Sequence, residues 1–456
     1  MSTTLSALYR EHLNTVCERM DRALAIEGFD AAAIHSGAAP MRFLDDQPYP
    51  FIPNPHFRAW VPVVAPHSWL IYRPGARPRV IFYQPEDYWH STPATPQEHW
   101  IEEVDLVVVT DIDAARQHLP SGRTACIGEP ERTPDWGFAA LNPPSLLTPL
   151  HYARAIKTRY EIECMRRASA AGVCGHQAAA AAFHAGASEF EIHAAYLRAT
   201  SHMESELPYP NIIALNEHAA VLHYTVLDKS APGERRSLLI DAGAAWRGYA
   251  CDITRTYAAR DGEFAQLIAA VEHMQRELCD RVRPGTDYAD IHLAAHHGIA
   301  RILEEADLIT IDADAAVASG LSGVFFPHGI GHLIGLQVHD VAGFMIDRSG
   351  TEKPRPEGHP YLRLTRTLEP GFAVTIEPGI YFIPMLLDAA RMNGHREHID
   401  WAHVAAFARY GGIRVEDDVV CTTGNPENLT RNAWQAIAPA PEDGKDAAHR
   451  AGGPAR

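Results

Sequence analysis

The chain has 456 residues, of which 46% are apolar and 21% charged, and its formal charge at pH 7 is −17. That length suits two domains with ample material for a buried core. The acidic balance argues against nucleic acid as a partner, since phosphate binding needs a basic face. No apolar run reaches the length of a membrane span, so no membrane partner is expected.

The N-terminal stretch MSTTLSALYREHLNTVCERM lacks the basic-then-apolar plan of a secretory signal. Its apolar residues Leu5, Leu8, Leu13, Val16, Met20 and Leu24 predict an amphipathic helix packed on a core. The seven cysteines, 17, 126, 164, 174, 251, 279 and 421, form no CxxC pair and are odd in number. That usage reads as reduced thiols in a cytoplasmic protein. β-rich runs (WVPVVA, RVIFYQ, LVVVTDI) among many prolines predict a small α/β domain over residues 1–157. The alanine-rich RYEIECMRRASAAGVCGHQAAAAAFHAG then predicts a helix that packs closely on its neighbours.

An internal echo follows. HAGASEFEIHAAYLRA (184–199) and RPGTDYADIHLAAHHG (283–298) share a helix-start pattern, with Ser188 and Glu191 in one, Asp287 and Asp290 in the other. Each precedes a β-rich stretch, 210–258 and 371–421. A duplicated α-then-β unit offset by 99 residues is one explanation, and chance likeness of short segments is the other. The polar, Pro/Gly/Ala-rich segment 436–456 predicts a disordered tail.

Acids in apolar settings mark the chemistry. In RRSLLIDAGAAWRGYACDITRTYAA, a hairpin centred near Trp246 and Arg247 would set Asp241 directly across from Asp252. Two such carboxylates repel unless a cation or a shared proton lies between them. Glu377 interrupts the apolar run FAVTIEPGIYF, and in GGIRVEDDVV, Arg414, Glu416 and Asp418 alternate onto one strand face. Each acid alone has an ordinary explanation, an ion pair with an arginine. Together with FFPHGIGHLIGLQVHD, which threads His328, His332 and His339 through glycines, they favour a metal centre. GIGHLIG is not a dinucleotide fingerprint, no HExxH or GxSxG motif occurs, and HREH at 395–398 reads as solvated.

DAGAAWRGYACDITRT, FFPHGIGHLIGLQVHD, VTIEPGIYF and GGIRVEDDVV, in that order, resemble the metal-binding segments of the pita-bread metallopeptidases. Within that family the resemblance is to the bacterial Xaa-Pro dipeptidases (prolidases), a subgroup that includes organophosphorus acid anhydrolases. FLDDQPYPFIPNPHFRAWVPV (43–63) is similar to that subgroup's N-terminal domain. The resemblance implies an α/β (α+β) fold: a small mixed N-terminal domain, then a catalytic pita-bread domain, 158–435, with a pseudo-two-fold repeat. It implies that Asp241, Asp252, His332, Glu377 and Glu416 hold two metal ions per subunit, bridged by Asp252 and Glu416. The oxygen-rich set with one imidazole suits Mn²⁺, with Co²⁺ or Zn²⁺ as possible substitutes.

By the same resemblance, a hydroxide held between the ions attacks the imide bond of Xaa-Pro dipeptides, and Glu377 relays the proton to the leaving nitrogen. His223, His328 and His339 match positions near the substrate. Arg414 and Arg363 are candidates for its carboxylate, and Tyr209, Tyr288 and Leu362 would line the pocket. Asp45 and Trp89 lie in segments like those that reach the neighbouring subunit's site in a homodimer. Organophosphate triesters are an implied side substrate. Aminopeptidase P-like cleavage of longer peptides is the rival enzyme reading, and a non-catalytic binding module with this fold is the other alternative.

Overall fold

The computed structural model describes residues 4–437. The amphipathic pattern of the N-terminus becomes the helix Leu5–Glu27, capped by Thr4 and stopped by Gly28 in the left-handed conformation. It buries Leu8, Leu13, Val16, Met20 and Leu24 and packs, with helix Pro144–Arg154, on a six-stranded mixed sheet. Strand Ala31–His35 sits inside that sheet, antiparallel to Trp69–Tyr72 and parallel to Thr124–Ile127. On one side Arg79–Tyr83 continues it antiparallel to Trp69–Tyr72, and Asp105–Val109 adds parallel to Arg79–Tyr83. WVPVVA is not a strand: Pro62 lacks the N–H a ladder needs, and the segment lies irregular with Val61 and Val63 turned into the core.

Residues from Thr158 onward form the second layer system. Thr158 and Glu161 make a reciprocal capping box at the start of helix Arg159–Ala185. Helix Glu189–Thr200 follows, started by the box of Ser188 and Glu191, and both pack on the antiparallel strands Ile212–Leu215, Ser237–Asp241 and Thr254–Ala258. The second half repeats this order: helices Glu263–Cys279 and Tyr288–Glu305, then strands Ala373–Ile376, Gly379–Tyr381, Gly412–Arg414 and Asp417–Val420. Asp287 caps the second of those helices by accepting from Ala289 N–H, without the reciprocal bond that Glu191 supplies in the first half. The architecture is the mixed α/β one expected, with its α-then-β unit present twice. The tail expected over 436–456 lies outside the described residues except for Ala436 and Ile437, which end the helix Leu429–Ile437.

The two half-sheets meet at one seam. Thr254 bridges Glu416, and Thr256 Oγ1 donates to the Arg414 carbonyl while accepting from its N–H, both at 3.0 Å. The seam therefore sets an acid-bearing strand from each half side by side.

Close packing of the first helix pair depends on Gly175. A Cβ there would lie 2.5 Å from the Tyr196 ring and 2.6 Å from Thr200 Cγ2. Overpacking costs about 1–3 kcal/mol, more than the helix-propensity gain of about 1 kcal/mol. Gly175→Ala should lower the thermal unfolding midpoint; an unchanged or raised midpoint would contradict this packing.

Candidate metal centre and active site

The hairpin carries the first two acids, though not in the register expected. Arg247 and Gly248 both have positive φ, 53° and 91°, the conformation a two-residue hairpin turn requires. The turn therefore centres one position later than expected. Trp246 pairs with Tyr249, and Asp241 pairs with Thr254 rather than Asp252. Asp241 and Asp252 are diagonal neighbours on one face instead. Tyr209 closes the gap: its hydroxyl lies 2.8 Å from Asp241 Oδ1 and 2.5 Å from Asp252 Oδ1.

The other half brings the remaining expected ligands. Glu377 sits in the break between strands Ala373–Ile376 and Gly379–Tyr381, where Pro378 interrupts the ladder, and its N–H donates to the Ile330 carbonyl. Glu416 occupies the matching break before Asp417–Val420; its Oε2 accepts from Thr254 Oγ1 at 2.6 Å. The glycine-rich segment runs alongside Ala373–Ile376, with Thr375 N–H on the His332 carbonyl and His332 N–H on Thr375 Oγ1. Gly331 permits that approach, because a Cβ there would fall 2.3 Å from the Thr375 carbonyl oxygen. Asp340, buried against Arg154 and Lys157, anchors the far end of the segment at the junction of the domains.

His332 Nδ1 faces the Leu333 carbonyl at 3.0 Å, so it carries the proton in the neutral ring. Its Nε2 then points a lone pair between Asp252 Oδ2 at 3.5 Å and Glu377 Oε1 at 3.6 Å. That is the spacing of ligand atoms around a shared ion, since bonds of about 2.0–2.2 Å put neighbouring donors roughly 3–3.5 Å apart. Ligating atoms of Asp252, His332 and Glu416 all lie within 4.8 Å of one another.

The charge balance fits the same group. Among the described residues, Arg414 is the one arginine or lysine bonded to any of the four carboxylates, through Nη2 to Asp241 Oδ2 at 2.5 Å. Burial raises the pKa of Glu377 to about 7, with Asp252 and Asp241 adding to the rise, and raises that of Glu416 well above the usual carboxylate range. Asp241 is raised for the same reason. Burial alone would lower His332, but its contact with Asp252 and the charge of Glu377 raise it. Asp252 is the exception: burial pushes it up, and His332 and Tyr209 pull it below its usual value. The raised proton affinity of these acids marks a site short of positive charge, which a divalent ion would supply. Behind it, Asp418 accepts the Asp252 N–H while its Oδ1 has no partner, and burial raises its pKa strongly.

All five expected ligands face a cavity of about 650 Å³, together with His223, His328, His339 and both arginines. His328 Nδ1 bonds the Gly329 carbonyl and Nε2 faces Tyr381 Oη at 3.0 Å; burial lowers its pKa to about 3. His339 stacks edge-on against His332, centroids 4.4 Å apart, with a pKa lowered by burial to about 4. Both are neutral at pH 7. Arg414 and Arg363 differ in kind. Arg414 commits its guanidinium to Asp241, Tyr381 and Thr254, whereas Arg363 has no hydrogen-bond or ion-pair partner among the described residues and opens to the cavity.

Several expected pocket residues stand elsewhere. Tyr288 is fully buried with its hydroxyl on the Thr375 carbonyl, and Leu362 is a core residue. Tyr209 lies behind the acids as their hydrogen-bond partner. Asp45 and Trp89 are exposed, Trp89 by 76%, and neither lines this chain's cavity. Tyr381 and Thr254 escaped the sequence reading. Thr254 carried one signal, its period-two relation to Asp252 on the same strand face.

Fold and cage together define a metallopeptidase of the pita-bread class. Residues 163–423 match the model of metallopeptidase family M24, and residues 7–152 that of the Xaa-Pro dipeptidase N-terminal domain. The chain is 53% identical over 436 residues to an Xaa-Pro dipeptidase of Xanthomonas campestris pv. campestris (strain 8004), covering 95% of this chain and 99% of that one. With an Xaa-Pro dipeptidase of Stenotrophomonas maltophilia (strain K279a) it shares 50% over 434 residues, 94% and 98% of the two chains. Among solved structures, aminopeptidase PepP of Pseudomonas aeruginosa superposes with a TM-score of 0.69 at 23% identity, over 92% of this chain and 95% of that one. Aminopeptidase P of Escherichia coli with the inhibitor Pro-Leu gives 0.68 at 22%, over 93% and 95%. The chain belongs to metallopeptidase family M24, in the branch of bacterial prolidases.

The raised acids set a pH dependence. Glu377 goes from an ordinary 4.5 to about 7 on folding, and Glu416 and His332 move the same way. Taken alone, these groups bind more protons in the folded metal-free protein than in the unfolded chain, so their contribution to stability falls as pH rises, while the buried histidines, His328 and His339 among them, act in the opposite direction. The change in Tm of chelator-treated protein from pH 5.5 to 8 should therefore be more positive in Glu377→Gln than in the parent chain, and added Mn²⁺ should raise the parent's Tm more at pH 8. An identical pH slope in the two proteins would contradict the raised pKa of Glu377.

Proposed function

We propose that this chain is a metal-dependent Xaa-Pro dipeptidase carrying two divalent ions, Mn²⁺ by preference. The observation that carries the reading is the convergence of Asp241, Asp252, His332, Glu377 and Glu416 on one cavity. Five ligands with four carboxylates exceed what one small ion needs, which supports a pair bridged by Asp252 and Glu416. Ions bound there supply an activated water at neutral pH and an electrophile for the scissile carbonyl. The relatives that cover nearly the whole chain are Xaa-Pro dipeptidases, which supports that substrate over the longer peptides of aminopeptidase P.

The chain's own groups have distinct tasks in this reading. Glu377, with a pKa near neutrality, accepts the proton of the attacking water and returns it to the imide nitrogen, which has no proton of its own. His339 and His223 orient the dipeptide and donate to the developing oxyanion, while the neutral His328, its one N–H on the Gly329 carbonyl, shapes the cavity wall and accepts from the Tyr381 hydroxyl. Arg363 receives the proline carboxylate, because its fork is free, while Arg414 holds Asp241 and Tyr381 in place. The restriction to dipeptides comes from a second copy of the chain. Phe43, Leu44, Tyr88 and Trp89 are 76–91% exposed, an apolar surface that a homodimer would cover near Asp45. Organophosphate triesters, whose phosphorus centre resembles the tetrahedral intermediate, are the proposed side substrates. A cytoplasmic location accords with the seven free cysteines.

Purified protein should hydrolyse a panel of Xaa-Pro dipeptides with Mn²⁺ and lose that activity to chelator, while Ala-Pro-Ala remains intact. Release of alanine from Ala-Pro-Ala at a comparable rate would favour aminopeptidase P. Removal of a charge-assisted contact costs about 1.5–3 kcal/mol, roughly 10- to 150-fold. Arg363→Ala should therefore raise KM for Ala-Pro by about that factor with a smaller change in kcat; an unchanged KM would remove Arg363 from substrate binding.

A further inference from the structure

A second cluster of ligating groups lies apart from the carboxylate cage. His292 and His296 stand one turn apart on helix Tyr288–Glu305, and His359 reaches them from the loop that carries Pro360 and Tyr361. Atoms of the three imidazoles lie within 4.8 Å of one another. Ring centroids are 4.6–4.7 Å apart in all three pairs. His292 and His296 are 1% and 4% exposed.

Hydrogen bonding leaves this trio unsatisfied. His296 Nδ1 faces Ser322 Oγ at 3.0 Å, a partner that orients the ring with Nε2 free. His292 Nε2 lies 2.9 Å from His359 Nδ1, while His292 Nδ1 is buried with no partner. Two imidazole nitrogens that close either share one proton or turn both lone pairs on one ion. Burial and the neighbouring histidines lower the pKa of His292 to about 2 and of His296 to about 3, and no carboxylate among their neighbours opposes this. The set is therefore three neutral nitrogen donors, the preference of a borderline transition ion and not of Mn²⁺ or Mg²⁺.

We propose that His292, His296 and His359 form a separate three-histidine site for Zn²⁺. The ion ties the loop of His359 to helix Tyr288–Glu305. Because Arg355, Pro360 and Tyr361 of that loop line the catalytic cavity, it fixes one cavity wall. The ring of Phe326 separates the site from the cage, 4.9 Å in centroid distance from both His296 and His328.

The test removes the cage first, so that it does not depend on the proposed peptidase reading. Full-length Asp252→Asn/Glu416→Gln protein, stripped with chelator, is dialysed against Zn²⁺ and its bound metal measured. His359→Gln is added in the same background; His359 is half-buried in a loop, so the fold should survive, which circular dichroism checks. His296→Asn serves as the second variant. The site predicts one equivalent of Zn²⁺ in the cage-deficient protein and its loss in both histidine variants. With Co²⁺ instead, the cage-deficient protein should show strong visible absorption of a nitrogen-ligated, four-coordinate ion, absent in His359→Gln. Equal Zn²⁺ uptake with and without His359 and His296, or no uptake at all, would overturn the proposal.

Discussion

Four carboxylates gathered in a buried cavity with one arginine bonded to them are the constraint on which the rest of the structure depends. A fold that pays no attention to charge would avoid that arrangement, since burying an unpaired carboxylate costs several kcal/mol. Here the backbone enforces it. Asp241 and Asp252 come from one hairpin, and Glu377 and Glu416 from two strand breaks in the other half. Arg414 answers Asp241, His332 and the Tyr209 hydroxyl answer Asp252, and raised proton affinity answers Glu377 and Glu416. The cage is stable only when something positive occupies it.

The duplicated α-then-β unit explains how such a site is assembled from distant parts of the chain. Each half contributes strands whose core faces are tied down by their own helix pair, so the acids are held by packing and not by their mutual contacts. The seam at Thr254, Thr256, Arg414 and Glu416 then locks the halves in register. Tyr381 joins the acid cage to the cavity wall, since its hydroxyl touches both Arg414 and His328.

Much of this was legible in the sequence, because ionised residues inside apolar strand-like runs conflict with the local pattern, and such conflicts mark sites. Asp241, Asp252, Glu377 and Glu416 each stood out this way, and Ser188 and Asp287 marked the helix starts of the two halves. The hairpin register was not legible. It turns on whether Arg247 adopts a left-handed conformation, which a non-glycine residue rarely does. The division of labour between Arg363 and Arg414 was also hidden, because it rests on which tertiary partners claim each guanidinium. Hydroxyls such as those of Tyr381 and Thr254 carry no signal until the strands are paired. WVPVVA read as a strand by composition, and Pro62 made it an irregular core segment.

The central claim is that five side chains from both halves of the catalytic domain converge to bind divalent cations. Anomalous diffraction at the manganese edge, from crystals grown with Mn²⁺, tests it directly. The account predicts two peaks in the cavity, both in contact with Asp252 and Glu416, one with Asp241 and the other with His332 and Glu377. Absence of anomalous density there, or a peak that touches none of these five residues, would contradict it.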